Sequence, residues 1–470
     1  MSDRVVLIDQ NKFIESIEGI GAVTMFFPSP GLHMVKRYLE EKGIKTTIIY
    51  TPKYGHGLDS LVELALRLFN PDYIGLTTHF SGSDILRVSQ KLKREDVRTV
   101  LGGQEAYHWF LYHSYRYPTL PYIYSVSGKS LANFIRKGEM DGIGIKESGE
   151  LKGNPRLPST SDLSIPDYST ENVFIHIGGK SIEQISNSIS SKKTEIIYPV
   201  VASYGCTGNC SFCSYSFSVE KVGLCEEGFV SEQIKNLEIL GGTIERLLLL
   251  DQEFSLHIPF YRKLPELKEY ELWTINRPMS IILGLRELEK FLKDGWRIYN
   301  YSTSVENFHP HESKLLNKPP IDPEDKVEIM LKLRQLKLEY PNFEYRWGSY
   351  GLILFNPWTT PSSFMFNIES INKFSFWKDF FCYPTLLLNS LFVKMYIPRP
   401  EISPYNYNVE VRKDWRNLTL NWTYLKNSNM FNLRSFVKSC LTGLTEEELE
   451  GLWWEKLYNE LKKYFEKQGL

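Results

Sequence analysis

Cys206-Thr207-Gly208-Asn209-Cys210-Ser211-Phe212-Cys213 decides the architecture of this chain. This stretch holds three of the six cysteines in 470 residues. A spacing of this kind arises by chance in roughly one sequence in a thousand of such composition. Six cysteines are too few for a disulfide framework in a chain of this length. The cluster therefore predicts thiolate ligands of a metal site.

Two kinds of metal site suit three clustered thiolates. Zinc needs a fourth ligand, for which His257 and Cys225 are candidates, but zinc sites generally match one closely spaced cysteine pair with a second. The chain has no second pair of that spacing. A [4Fe–4S] cluster can instead be held at three irons, and the small residues Thr207–Asn209 let the backbone amides approach its sulfurs. We expect an iron–sulfur cluster, with zinc as the alternative, on the ligands Cys206, Cys210 and Cys213.

The overall composition excludes several other classes of protein. The chain carries 55 basic and 56 acidic residues, so it has no general field that attracts nucleic acid or an anionic membrane. Hydrophobic residues make up 42%, which predicts a folded chain with sizeable cores. No run of about 18 uncharged apolar residues predicts a membrane span, and the first residues lack the pattern of a signal peptide. We expect a cytoplasmic enzyme that binds neither nucleic acid nor a membrane.

The first 110 residues alternate strand-like and helix-like patterns. This alternation predicts a doubly wound, Rossmann-like parallel sheet with its ligand site at the carboxyl ends of the strands. The predicted strands are Val5–Ile8, Thr46–Tyr50, Tyr73–Thr77 and Thr99–Leu101, and the predicted helices are Gly31–Lys42, Leu58–Phe69 and Ile85–Leu92.

A second β/α series follows a Pro- and Ser-rich stretch at 150–170, which predicts a linker. This second series predicts a full or partial parallel β/α (TIM-like) barrel. Its strands are predicted at Glu195–Ala202, Arg246–Leu250, Glu271–Ile275, Ile298–Thr303 and Tyr350–Phe355. We therefore expect an α/β chain in three parts: a Rossmann-like domain with its linker at 1–165, a β/α barrel at 166–400, and a short, mainly helical C-terminal region at 401–470.

The cysteine loop resembles that of the radical S-adenosylmethionine (SAM) superfamily. In that superfamily a Cys-x3-Cys-x2-Cys loop follows the first barrel strand, commonly with an aromatic before the last cysteine, where Phe212 stands here. The resemblance implies that SAM chelates the open iron and is cleaved reductively to a 5′-deoxyadenosyl radical that abstracts hydrogen from a substrate. It extends over roughly residues 1–375 and implies an external electron donor such as flavodoxin or ferredoxin.

Later strand ends resemble the SAM contacts of the same superfamily. Leu249–Phe254 resembles the second strand end, which meets the SAM amino group, and Asn276-Arg277-Pro278 resembles the third, which meets the carboxylate. Ser302–Glu306 resembles the fourth strand, whose polar residues reach the ribose. The residues that the resemblance implies for SAM binding are Asp251, Glu253, Arg277, Ser302 and Glu306.

The leading domain resembles the cobalamin-binding domain of many radical SAM methyltransferases. Pro30-Gly31-Leu32, Glu41-Lys42-Gly43 and Val100–Gly103 match that domain. The Asp-x-His-x-x-Gly signature that supplies a cobalt ligand in some cobalamin proteins is missing from the sequence. The missing signature does not exclude cobalamin, because many radical SAM enzymes bind it without a protein histidine. Cobalamin is thus a possible cofactor in addition to SAM and the cluster, but the sequence does not favour it.

The whole layout most resembles the proteusin-type radical SAM peptide epimerases. Cys382 stands about where this family is expected to keep a hydrogen-donor thiol, although residue identity alone favours a buried apolar cysteine. The resemblance implies α-hydrogen abstraction from a residue of a ribosomally made precursor peptide and return of hydrogen by Cys382 to give a D-residue. Two alternatives stay open: a cobalamin-dependent methyltransferase at an unactivated carbon, and a precursor-binding scaffold with a structural cluster. Of Cys225 and Cys440, we expect at least one to be an inert core residue.

Overall fold

The computed structural model describes two compact units. The described residues are 3–11, 24–52, 58–77, 82–103, 106, 122–125, 127–147, 150–157, 159, 162–178, 181–190, 194–208, 210, 222–239, 244–318, 321–345, 350–353, 360–373, 380–383 and 453–468. Unit 1 takes those of Met1–Gly205 and Ser214–Leu250, and unit 2 those of Cys206–Cys213 and most of Asp251–Leu470.

Unit 1 contains fifteen strands and six helices among its described residues. The strands are β1 (Arg4–Asn11), β2 (Thr24–Phe26), β3 (Lys45–Pro52), β4 (Tyr73–Thr77), β5 (Arg98–Gly102), β6 (Tyr122–Ser125), β7 (Ile143–Glu147), β8 (Glu150–Gly153), β9 (Val173–Gly178), β10 (Ser181–Gln184), β11 (Thr194–Ile196), β12 (Tyr198–Val201), β13 (Ser203–Tyr204), β14 (Gly223–Leu224) and β15 (Arg246–Leu250). The helices are α1 (Pro30–Glu41), α2 (Leu58–Phe69), α3 (Gly82–Arg94), α4 (Gly128–Lys137), α5 (Ile185–Ser190) and α6 (Glu227–Ile239).

A nine-stranded sheet forms the centre of unit 1, in the order β10-β9-β3-β1-β4-β5-β6-β7-β8. The strands from β9 to β6 pair in parallel, whereas β10, β7 and β8 add antiparallel edges. The strand order reverses between β1 and β4, which makes that position the topological switch point where ligands of such sheets bind. The predicted doubly wound sheet is confirmed, and the antiparallel edges are an addition to it.

Helices cover both faces of this sheet because the buried strands are apolar on both sides. Val6 and Ile8 of β1 pack in one core with α2 and α3, while Val5 and Leu7 pack in the other with α1 and α4. Each buried side chain of this size contributes about 1.5–3 kcal/mol. The β/α alternation of the sequence is therefore the direct cause of the layered fold.

Helix α1 is fixed to the segment that was predicted as a linker. His33 is 2% exposed, its Nδ1 donates to the backbone oxygen of Asp167 at 2.6 Å, and its ring packs against Tyr168. Ser164 donates from its hydroxyl to the backbone oxygen of Met34 at 3.2 Å. Burial lowers the pKa of His33 to about 4, so its imidazole is neutral near pH 7. This segment is thus packed onto α1 and is not an extended tether.

The predicted strand Glu195–Ala202 is wrong as a single element. β11 pairs in parallel with β2, whereas β12 pairs in parallel with β15, so the two strands join different partners. Ile197 between them is fully buried. A continuous apolar run does not reveal which partner each half takes, because pairing is decided by tertiary contacts.

Unit 2 contains the remaining strands of the second series. They are β16 (Glu271–Asn276), β17 (Arg297–Glu306), β18 (Phe343–Tyr345), β19 (Tyr350–Ile353) and β20 (Phe380–Tyr383). Its helices are α7 (Phe254–Tyr261), α8 (Pro278–Lys293), α9 (Pro310–Leu315), α10 (Pro323–Glu339), α11 (Pro361–Lys373) and α12 (Trp453–Gln468), with a short 3₁₀ helix at Pro265–Glu269.

All the described strand pairs of unit 2 are parallel, as in a β/α barrel. β16 pairs with β17, and β17 continues to β18 and β19, which in turn pairs with β20. The α/β fold class that the sequence predicts is confirmed. In the described part of the chain, no helix has both the length and the apolar character needed to cross a membrane.

Helices α7 and α8 pack unusually closely. A Cβ atom placed on Gly284 of α8 would lie 2.2 Å from the backbone oxygen of Ser255 in α7. Only glycine fits such an approach without movement of one helix. This contact fixes the position of α7, whose first residues follow the predicted SAM-binding residues Asp251 and Glu253.

Candidate functional site

The described part of the cysteine loop belongs to unit 2. Cys210 is buried and Cys206 is partly exposed, and the backbone N–H of Gly208 donates to the Sγ atom of Cys206 at 3.3 Å. Amide-to-sulfur hydrogen bonds of this kind stabilise thiolate ligands and tune a bound cluster. Cys213 lies outside the described residues, and no group of three metal-ligating side chains occurs within the ranges that the structure describes.

Gly208 leaves the space beside the cysteine loop that the Arg277 side chain occupies. A Cβ atom on Gly208 would lie 2.7 Å from Nη1 of Arg277 and 3.3 Å from Sγ of Cys206. Any larger residue would push Arg277 away from the cysteine loop. The predicted SAM-carboxylate residue therefore lies against the predicted cluster ligands, which is the placement that a cofactor shared by both groups requires.

Glu253 and Arg277 form an ion pair that Thr207 joins. The Thr207 hydroxyl donates to both carboxylate oxygens of Glu253, at 2.7 and 2.9 Å, and accepts from Nη2 of Arg277 at 2.8 Å. The side chains of Glu253 and Arg277 are 6% and 13% exposed, and Nε of Arg277 is buried without a hydrogen-bond partner among the described residues. A buried guanidinium with an unused donor is suited to binding an anionic group.

Asp251 is a buried hub that orients Glu253. It is 0% exposed, and its Oδ1 accepts from the backbone N–H of Glu253 at 2.9 Å. Its Oδ2 contacts Nδ1 of His257 at 2.8 Å and accepts from the Tyr261 hydroxyl at 2.7 Å. Since both carboxylate oxygens already have protein partners, the geometry favours a positioning role for Asp251.

The end of β16 holds Glu253 from the other side. Asn276 forms an isolated antiparallel bridge with Glu253, and its Oδ1 accepts from the backbone N–H and the hydroxyl of Ser255, at 3.0 and 2.7 Å. Nδ2 of Asn276 donates to Asn300 of β17 at 3.1 Å. Arg277 follows directly as the N-cap residue of α8.

The end of β17 carries the other two predicted SAM contacts. Ser302 pairs in register with Ile275 of β16 and is partly exposed. Glu306 has a φ of 66°, and its Oε1 accepts from Nζ of Lys318 at 3.3 Å. Both residues lie on strand β17, which neighbours β16, but no hydrogen bond among those described joins them to Glu253 or Arg277.

The remaining cysteines are only partly covered by the structure. Cys382 lies on β20, where its backbone pairs with Leu352 of β19. This places it on a strand of the parallel sheet of unit 2. Cys225 is buried in unit 1, as expected of an inert core residue, and Cys440 lies outside the described residues.

Unit 1 presents buried polar groups at the carboxyl ends of its strands. Asp9 of β1 is 2% exposed and accepts at Oδ1 from the Thr77 hydroxyl of β4 at 2.6 Å, so this pair spans the switch point. On the next strands, the Thr51 hydroxyl lies 3.3 Å from Nδ1 of His176. A doubly wound sheet binds its ligand at this edge, and polar groups there suit a nucleotide-like ligand.

Sequence reasoning missed several groups that the geometry brings into the site. Thr207 was considered only as a small residue of the cysteine loop, and His257 only as a zinc ligand. The spacing of Asp251 and His257, a little under two helical turns, is compatible with a contact but common by chance. Lys318 left no signal at all, since its contact with Glu306 depends on the turn after β17.

The fold is similar to that of solved radical SAM structures, whereas no protein-family model and no curated protein matches the chain. One is the radical S-adenosylmethionine methyltransferase TsrM from Kitasatospora setae with cobalamin and a [4Fe–4S] cluster bound, at a TM-score of 0.54 and 14% identity, covering 80% of this chain and 74% of that one. TsrM with a tryptophan substrate and a SAM analogue bound gives 0.53 and 14%, covering 79% and 71%. This chain thus has an α/β fold similar to that of TsrM.

Proposed function

We propose that this chain is a radical SAM enzyme that holds a [4Fe–4S] cluster on Cys206, Cys210 and Cys213. The observation that carries the proposal is the contact of Arg277 with Gly208, directly beside the Sγ atom of Cys206. When bound, the cluster supplies the electron that cleaves SAM to methionine and a 5′-deoxyadenosyl radical. Electrons reach it from an external donor such as flavodoxin or ferredoxin.

The chain's own residues bind and orient SAM. Glu253 would accept from the ammonium group of SAM and Arg277 would donate to its carboxylate, so each would exchange its partner in the ion pair for a group of SAM. Asp251 holds the Glu253 backbone, while Thr207 remains hydrogen-bonded to the site. Exchange of one charge pair for another keeps the buried charges neutralised, as their low exposure requires.

Methyl transfer to an unactivated carbon with cobalamin is the finer activity that we favour. The similar solved structures are of a methyltransferase with cobalamin bound, which supports this alternative more than peptide epimerisation. Asp9 and Thr77 at the switch point of unit 1 are the residues we assign to the edge where cobalamin binds. We retain a residue of a ribosomally made precursor peptide as the proposed substrate.

Peptide epimerisation is the second candidate, and Cys382 is the observation that favours it. Cys382 lies on β20, a strand of the parallel sheet of unit 2. Arg277 directly follows β16, another strand of unit 2. A thiol there would return hydrogen to the opposite face of a Cα radical. We propose this role only for an enzyme that binds no cobalamin.

Anaerobic reconstitution tests the proposal. With iron, sulfide and a reductant, the full chain should show a [4Fe–4S] electron paramagnetic resonance signal that changes when SAM is added. The variant Cys206→Ala should lose the signal, whereas Cys225→Ala, which alters a buried cysteine of unit 1, should keep it. A signal that ignores SAM would favour the scaffold alternative, and bound zinc in place of iron would favour a zinc site.

A further inference from the structure

A buried polar cluster lies beside the end of β17 and has no part in the site described above. Its members belong to the turn after β17 and to helices α9, α10 and α11, and each is 3% exposed or less. We call it the Asn307 cluster, and it consists of Asn307, Glu312, Ser313, Lys326, Ser363 and Asn367. So many buried polar groups cost stability unless each is hydrogen-bonded, so their arrangement is informative.

Lys326 of α10 binds the backbone of the turn. Its Nζ donates to the backbone oxygen of Asn307 and to the Ser313 hydroxyl, the latter at 3.3 Å. Ser313 itself donates to the same Asn307 oxygen at 3.1 Å. The carbonyl of Asn307 is therefore held by two donors from two different helices.

Glu312 and Asn367 hold the side chain and the following residues of the turn. Nδ2 of Asn307 donates to Oε2 of Glu312 at 2.8 Å, and the Ser363 hydroxyl donates to Oε1. Oδ1 of Asn367 accepts from the backbone N–H groups of Phe308 and His309, at 2.6 and 3.2 Å. Residues 307–309 are thus held by hydrogen bonds from three helices, α9, α10 and α11.

The residue that this turn fixes is Glu306, which directly precedes Asn307. Its φ of 66° lies in the left-handed region, which costs a residue with a side chain about 1 kcal/mol or more. Such a conformation persists only where the surrounding contacts hold it. Those contacts include the hydrogen bond from the Asn307 N–H to the backbone oxygen of Val305 at 2.8 Å, the Asn307 cluster on the backbone that follows, and the Lys318 ammonium on the carboxylate.

We propose that Lys326 is a positioning residue that acts through Asn307 to aim the Glu306 carboxylate at the ribose hydroxyls of SAM. The inference rests on the proposed function and deepens it by assigning a residue that lies outside the SAM site. Lys326 touches neither SAM nor the cluster in this role. Its effect on binding passes through the backbone of residues 306 and 307 and through its charge, which interacts with Glu306.

The charges around Lys326 fit this role. The pKa of Lys326 is lowered to about 8. Burial is the largest cause and nearby Lys318 acts in the same direction, whereas Glu306 and Asp322 act to raise the pKa. The ammonium form therefore persists at neutral pH with the support of those two carboxylates and of its hydrogen bonds. Loss of this buried donor would remove one of the two described hydrogen bonds that hold the Asn307 carbonyl.

A double-mutant cycle in ligand affinity tests the inference. The probe is S-adenosylhomocysteine, titrated calorimetrically into the iron-loaded full chain. Lys326→Met should weaken binding about tenfold in the wild-type background but less than about twofold beside Glu306→Gln, because coupled residues are not additive. Lys326→Arg keeps the charge but not the shape of this buried donor, so its loss of affinity should be smaller than that of Lys326→Met. Lys332→Met, a substitution elsewhere on α10, is the matched control.

Each other outcome decides between the two proposals. If the two substitutions Lys326→Met and Glu306→Gln act independently, so that the double variant's loss of affinity is the product of the two single losses, the positioning role is overturned. If Lys326→Met does not fold by circular dichroism, the milder Ser313→Ala enters the same cycle in its place. A wild-type chain that does not bind the probe would contradict the proposed function instead.

Discussion

The Thr207 hydroxyl is the residue-scale centre of the candidate site. It lies between the first two predicted cluster ligands in sequence, and it bonds both members of the Glu253–Arg277 pair in space. A change at this one side chain therefore tests whether ligand binding depends on the link between the cysteine loop and the two strand ends. No other described residue contacts both side chains by hydrogen bonds that the structure shows.

We predict that Thr207→Val weakens S-adenosylhomocysteine binding about five- to tenfold, while Thr207→Ser leaves it nearly unchanged. Valine keeps the shape but removes the hydroxyl that bonds both Glu253 and Arg277. The loss of such a hydrogen bond from buried groups costs about 1–3 kcal/mol. Equilibrium titration of the iron-loaded chain measures the difference. Equal affinities for the valine and serine variants would show that the hydroxyl does not matter.

The sequence predicted Glu253 and Arg277 as separate SAM contacts and could not show that they pair. Each follows a different β/α segment, and only formation of the parallel sheet brings the two strand ends together. Asp251 was predicted as a further contact, yet its partners Tyr261 and His257 belong to the next helix. Residue identity supplied the chemistry, whereas the division into contacting and positioning residues needed the geometry.

The close packing of α7 on α8 makes Gly284 important for the candidate site, although Gly284 itself contacts none of the predicted cofactor-binding side chains described above. We predict that Gly284→Ala destabilises the chain by about 1–3 kcal/mol, because a methyl group there overlaps the backbone of Ser255. Ser255 bonds Asn276, which bridges Glu253, so S-adenosylhomocysteine affinity should also fall. Thermal unfolding and titration measure both effects.

Gly228→Ala is the matched control for this prediction. Gly228 lies in α6, and a Cβ atom there would have no heavy atom within 4 Å. Alanine at an unstrained helical position generally stabilises by about 0.4–1 kcal/mol. A destabilisation of equal size at both positions would contradict the packing argument for Gly284.

The packing of α1 predicts a loss of stability in acid. His33 has its pKa lowered by burial to about 4, while in the unfolded chain it titrates near 6.5. The unfolded state therefore binds the extra proton first, and stability present above pH 6.5 is lost as the pH falls towards 4, at up to about 1.4 kcal/mol per unit.

Denaturant unfolding across pH 4–7 measures this effect. The variant His33→Phe, which cannot titrate, should show a flatter pH dependence of the free energy of unfolding over that range. Both proteins lose carboxylate contributions in common, so the difference between their slopes is the quantity that counts. Parallel slopes would show that His33 does not titrate as its burial requires.

The elements themselves were largely predictable where the sequence alternates strongly. Strand Arg246–Leu250 and helix Leu58–Phe69 have the predicted bounds. Gly57 and Pro71 flank the helix, whereas the strand is a short apolar run that ends before Asp251. The antiparallel strands β7 and β8 were not predicted. Glu150–Gly153 is short and polar, and it becomes a strand only because β7 offers a free edge.

One of the solved structures of similar fold has cobalamin bound, a cofactor that the sequence alone did not favour for this chain. We predict that the full chain, produced with added hydroxocobalamin and purified without air, retains the cofactor in stoichiometric amount. Its ultraviolet–visible spectrum measures the ratio directly. Substitution of Asp9 by Ala, at the switch point of unit 1, should lower that ratio, and a cobalamin-free wild type would favour the epimerase.

If the chain binds no cobalamin, the epimerase hypothesis predicts a distinct isotope pattern in the product. Peptide treated with SAM in heavy water should then carry solvent deuterium at Cα, because a donor thiol exchanges its hydrogen. Cys382→Ala should abolish D-residue formation while 5′-deoxyadenosine is still formed. An unchanged yield of D-residue would remove the role assigned to Cys382.

The left-handed backbone at Glu306 places two selective pressures in opposition. Glycine would adopt a φ of 66° without steric cost, so selection for thermal stability alone would favour glycine at this position. Selection for cofactor binding would favour the carboxylate and accept a less stable chain. Directed evolution under each pressure separately should therefore move residue 306 in different directions, and the choice made would report what this position is for.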